Sequence, residues 1–123
     1  MKITGSVDGT MFTENWFDIA DMCGLYAKDT HGAVFSNNTF NRCMLGQDAA
    51  KPASSGTTNA EFDAFVRLIN CKDMAFTNNL FGYLDNGLPA GAPITTFHNT
   101  KCSDIQIANN VFLSPYERLV VKD

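Results

Sequence analysis

The chain has 123 residues, 45% hydrophobic and 18% charged, proportions that fit one compact domain over 1–123 and exclude a disordered chain. A formal net charge of −4 with no Lys or Arg cluster gives no footprint for nucleic acid or for an anionic membrane surface. No run approaches the roughly 18 apolar residues of a membrane span, and Met1-Lys2-Ile3-Thr4-Gly5 lacks the apolar core of a signal peptide, so a soluble chain without an export address is expected.

The first predicted element starts at Lys2, and ten residues later comes the apolar Phe12, then Asn15, then Phe17. The same sequence of events recurs: Leu25, Phe35, Asn38, Phe40; Val66, Phe76, Asn79, Phe81; Phe97, Ile107, Asn110, Phe112. The ten-residue and five-residue intervals hold in all four copies, so the variation lies between each terminal Phe and the next start: 8 residues after Phe17, 26 after Phe40 and 16 after Phe81. After Phe112 a gap of 8 delivers Val120. A basic repeat of 23 residues with extra residues inserted at one corner, about 46–60 and 85–94, is the signature of a solenoid in which each copy buries its apolar face against its neighbours.

Each copy contains three short segments of strand character. Leu25-Tyr26-Ala27, Val66-Arg67-Leu68 and Phe97-His98-Asn99 form one column, Ala33-Val34-Phe35, Met74-Ala75-Phe76 and Ile105-Gln106-Ile107 a second, and the segments through Phe17, Phe40, Phe81 and Phe112 a third. Their alternation fits half-buried strands. Stacked copies would lay the strands in parallel about 4.8 Å apart. With no room for helical crossovers, the expected fold is all-β: a parallel β-helix of about four coils.

Asn15, Asn38, Asn79 and Asn110 would stack at one corner, where Asn tolerates left-handed backbone and its amide can pass hydrogen bonds from copy to copy. The sequon-like Asn37-Asn38-Thr39 belongs to this buried pattern and reads as chance. Asp73 and Asp104, in one column with Gly32 and Gly9, read as turn formers rather than cation ligands, and no metal site or cofactor is expected. Cys71 and Cys102 share a column with Thr30. A bond between them needs Cβ atoms about 3.8 Å apart, tighter than stacked parallel strands allow, so buried free thiols and folding in a reducing cytoplasm are expected.

The pattern Ile-x-Ile-x-Asn-Asn-x-Phe, read at Ile105 to Phe112, resembles the repeat of right-handed parallel β-helices of the pectate-lyase-like and phage-tailspike kind. The resemblance covers about Lys2 to Val121. It implies that the inserted loops wall a carbohydrate groove beside the first strand column, that the chain works as a homotrimer, and that it sits on a virion surface or is otherwise extracellular. With strand starts at both ends and no visible cap, a segment of a longer protein is expected.

Candidate site residues follow from the outward positions of that column, read as Ile3, Tyr26, Arg67, His98 and Val121, with Asp63, Glu61 and Asp29 nearby. A ring to stack a sugar, an Arg to hold a carboxylate and acids to move protons would make Tyr26, Arg67, His98 and Asp63 a polysaccharide-binding set. No clustered Asp ligands or signature Arg of the resembled enzymes appears, so catalytic residues remain unassigned. Recognition of polysaccharide is the leading expectation; a polysaccharide lyase or glycoside hydrolase and a structural trimeric spacer are the alternatives.

Overall fold

The computed structural model describes residues 1–5, 8–20, 23–43, 64–82, 96–113 and 121–122, with backbone alone for 19, 20, 42, 43 and 122. Both expected loop insertions, Asp63, Glu61 and Val120 lie outside the described residues. Among the described residues every element is a strand: β1 Lys2–Thr4, β2 Met11–Thr13, β3 Trp16–Ala20, β4 Leu25–Lys28, β5 Val34–Ser36, β6 Thr39–Cys43, β7 Val66–Ile69, β8 Lys72–Thr77, β9 Leu80–Gly82, β10 Phe97–Thr100, β11 Ser103–Ala108, β12 Val111–Phe112 and β13 Val121–Lys122. The chain visits three sheets in rotation. The first has order β1-β4-β7-β10-β13, the second β11-β8-β5-β2 and the third β12-β9-β6-β3, and all pairings are parallel. This arrangement is consistent with a parallel β-helix.

The pairing follows the columns read from the sequence. Leu25, Val66 and Phe97 are in register, as are Phe12, Phe35, Phe76 and Ile107 and Phe17, Phe40, Phe81 and Phe112. Consecutive Phe rings stack nearly parallel: Phe12 on Phe35 at 4.6 Å, Phe35 on Phe76 at 5.0 Å, Phe40 on Phe81 at 4.8 Å between centroids. Phe97 meets Phe76 and Phe81 edge-on, joining the two columns. The core is therefore aromatic, with Phe35, Phe40, Phe65, Phe76, Phe81 and Phe97 fully buried. Such rings each remove a large apolar area from water and add ring–ring attraction of about 0.5–1.5 kcal/mol per pair.

The first and last strands correct the expected register. Lys2 pairs with Tyr26 and Ile3 with Ala27, while Val121 pairs with Phe97. A one-residue slip exchanges the two faces of a strand. In the observed register Ile3 faces inward and packs against the core, whereas the expected one would have put it in solvent. One more residue in the turn after β1 absorbs the difference: Ile3 precedes Phe12 by nine positions, and Ala27 precedes Phe35 by eight.

The corners repeat as strictly as the strands. Left-handed backbone occurs at Glu14, Asn37, Asn78 and Asn109 (φ 55–58°), and again in the column of Gly9, Gly32, Asp73 and Asp104. Asp73 and Asp104 are thus turn formers as expected. Gly32 has a second reason to lack a side chain, because an added Cβ would lie 2.9 Å from the Asp8 backbone.

Candidate functional site

The four corner asparagines form a continuous amide ladder. Asn15 Nδ2 donates to Asn38 Oδ1, Asn38 Nδ2 to Asn79 Oδ1, and Asn79 Nδ2 to Asn110 Oδ1, each at 3.0 Å. The same oxygens accept the backbone N–H of Asn15, Asn38 and Asn79 at 2.8–3.0 Å. Each amide also reaches back to a main-chain carbonyl, Asn38 to Phe12, Asn79 to Phe35 and Asn110 to Phe76. The left-handed turn is made by the residue before each of these, so the Asn-Asn pair divides the work. The first bends the chain and the second satisfies the buried polar groups the bend leaves behind.

The outward column of the first sheet is Lys2, Tyr26, Arg67 and His98, with Lys122 next in register; Ile3 and Val121 belong to the two columns that flank it, Ile3 in register with Ala27 and Val121 with Phe97. The structure thus gathers Tyr26, Arg67 and His98 as expected, and adds Lys2 at one end. It does not leave them open. Tyr26, Arg67 and His98 are buried, at 8%, 6% and 9% exposure, and Lys2 is the exposed member, its Nζ 5.8 Å from the centre of the Tyr26 ring. The expected open aromatic and cationic face is corrected accordingly.

Arg67 shows where part of the difference arises. Its Nη1 donates to the carbonyls of Leu68 (2.8 Å) and His98 (3.0 Å), and its Nη2 to Thr100 Oγ1 at 2.9 Å. The guanidinium ties β7 to β10, and a fork spent on main-chain carbonyls offers less to a ligand carboxylate. Asp29, expected among the acids of the site, instead accepts from Asn70 Nδ2 at 2.6 Å at an exposed corner.

The remaining candidates are structural. No group of three His, Cys, Asp or Glu suited to a metal occurs among the described residues, and Asp73 lies 3.7 Å from Lys72 Nζ on the surface. Cys71 and Cys102 are unbonded thiols, the Cys102 sulfur accepting the Cys71 N–H at 3.4 Å. Burial, opposed by a hydrogen bond from the Thr30 backbone, pushes the Cys71 thiol above its ordinary range.

Three features escaped sequence reasoning. Trp16 is 63% exposed at the outward position before the inward Phe17, a placement that the alternation around Phe17 encodes. His31 Nδ1 lies 2.5 Å from Asp8 Oδ1 across the first corner. Asn99, inward beside Leu68 in the last full repeat, holds its Oδ1 buried without a hydrogen-bond partner. Set against known protein families, curated proteins and solved structures, the chain matches none.

Proposed function

We propose that the chain is a carbohydrate-recognising module of a tailspike-like or adhesin-like protein, folded as a right-handed parallel β-helix, with an acidic polysaccharide lying along the outward column of the first sheet. The supporting observation is the composition of that column. Lys2, Tyr26, Arg67, His98 and Lys122 follow one another strand by strand with no acid among them, in a chain of net charge −4. Lys2 and Arg67 set two cations on this column two strand spacings apart, with no carboxylate between them, and favour an anionic neighbour. Lys2, the exposed member, makes the first contact, and the assembly is a homotrimer at a virion surface or another extracellular site.

A structural spacer is the second reading, favoured by the Arg67 donors given to Leu68, His98 and Thr100. Acidic and neutral polysaccharides incubated with the protein and separated by size exclusion, with light scattering on the same runs, distinguish the readings. Co-elution of an acidic polymer with a trimer, weakened by Lys2→Glu, is the expected result. Shortened polymer would mean a depolymerase instead. No association with any polymer leaves the spacer.

A further inference from the structure

We propose that Trp16 is a stacking platform for one neutral hexose, oriented by the carboxylate of Asp18, on a different face from the column of the first sheet. Trp16 opens β3, the edge strand of the third sheet, and stands 63% exposed. Water is a costly environment for an indole, whose broad apolar face gains most when covered. Alternation places Phe17 inward, so Trp16 and Asp18 share the outward face about 6.6 Å apart, a separation that a sugar ring and one hydrogen bond can span.

The second group is held in place. Asp18 is exposed, and its Oδ1 accepts from Asn41 Nδ2 at 3.1 Å. Asn41 is itself buried and lies directly opposite Asp18 on β6. Thr39, opposite Trp16 in the same pair of strands, sets a hydroxyl-bearing side chain beside the ring. An indole face accepts the C–H face of a pyranose, and an oriented carboxylate accepts its hydroxyls.

The surrounding charge narrows the ligand. Asp18 and the exposed Glu14 would repel a uronate, the opposite preference to that of the Lys2 column. The equivalent positions of the other repeats are Thr39, Leu80 and Val111, none of them aromatic. The platform therefore takes one sugar residue, such as a chain end or a branch, rather than a track of them.

Because Trp16 is the only tryptophan, its emission reports on this site alone. The protein is titrated with cellohexaose, maltohexaose and hexagalacturonate while emission is followed, and calorimetry is run on the variants. A saturable change with a neutral hexaose is expected, absent by calorimetry in Trp16→Ala, retained in Trp16→Phe, unaltered by Lys2→Glu, and weakened about 10-fold or more in Asp18→Asn, the scale of one charge-assisted hydrogen bond. Trp16→Ala should keep the parent melting temperature, since the side chain is exposed. The proposal is overturned if no hexaose shifts the emission up to about 10 mM, if only hexagalacturonate does, if Asp18→Asn binds as tightly as the parent, or if the emission blue-shifts with protein concentration alone, which would mark Trp16 as a contact between copies. Loss of binding in Lys2→Glu would implicate the first sheet, so the two readings fail separately.

Discussion

At the scale of single residues, the fold rests on side chains used once per repeat. Asn79 Oδ1 accepts both from the Asn38 backbone and from its side chain, so Asn79→Ala leaves a buried N–H unpaired at a cost of about 1–3 kcal/mol. Urea unfolding should show that loss, and a smaller one for Asn15→Ala at the exposed first corner. Phe81 is fully buried and touches Phe40, Phe65, Phe97 and Phe112; Phe81→Ala should cost about 3–5 kcal/mol, and the half-buried Phe12→Ala less. Cys71 adds a pH dependence. Its thiol is held neutral by burial, so the folded state binds the proton more tightly than the unfolded one. The resulting stability is present below the unfolded thiol value of about 8.5 and is lost as pH rises through the higher folded value. Unfolding curves between pH 7 and 10 should flatten in Cys71→Ala; an unchanged slope would mean that other groups control it.

At the scale of elements, the strands were legible and their covering was not. Fixed intervals of ten and five residues tie Leu25, Phe35 and Phe40 together within one copy, so every inward column could be read from spacing. The end strands were less legible, because one extra turn residue before Phe12 shifts Ile3 inward, and the deciding term is burial of that side chain against a core assembled from distant residues. The candidate site was half legible. Alternation put Tyr26, Arg67 and His98 on one face, but whether an outward side chain meets water depends on what lies over it, which no local pattern encodes. Arg67 makes the point testable. With three hydrogen bonds to β7 and β10 it acts as a strap, and Arg67→Ala should destabilise the fold by about 1–3 kcal/mol; Arg67→Lys should recover only part of this, since an ammonium cannot reproduce the planar fork.

At the scale of the whole molecule, the described strands of each repeat pair only with those of its neighbours, and stability becomes a sum of repeats and interfaces. Strands with a partner on both sides, β4, β5, β6, β7, β8, β9 and β10, should hold the slowest-exchanging amides, and β1, β2, β3, β11, β12 and β13 at the sheet margins the fastest. Uniform protection across all of them would instead show one indivisible cooperative unit.

The amide ladder also has a direction. From Asn15 to Asn79, one amide hydrogen and the corner N–H are accepted by the Oδ1 of the repeat that follows in sequence, while Asn38, Asn79 and Asn110 return a hydrogen to a carbonyl of the repeat before. During synthesis from the N-terminus, each newly made corner therefore waits for its successor. The growing stack carries two unfinished corner donors at its advancing face, a backbone N–H and an amide hydrogen, and a template for the next repeat moves forward with them.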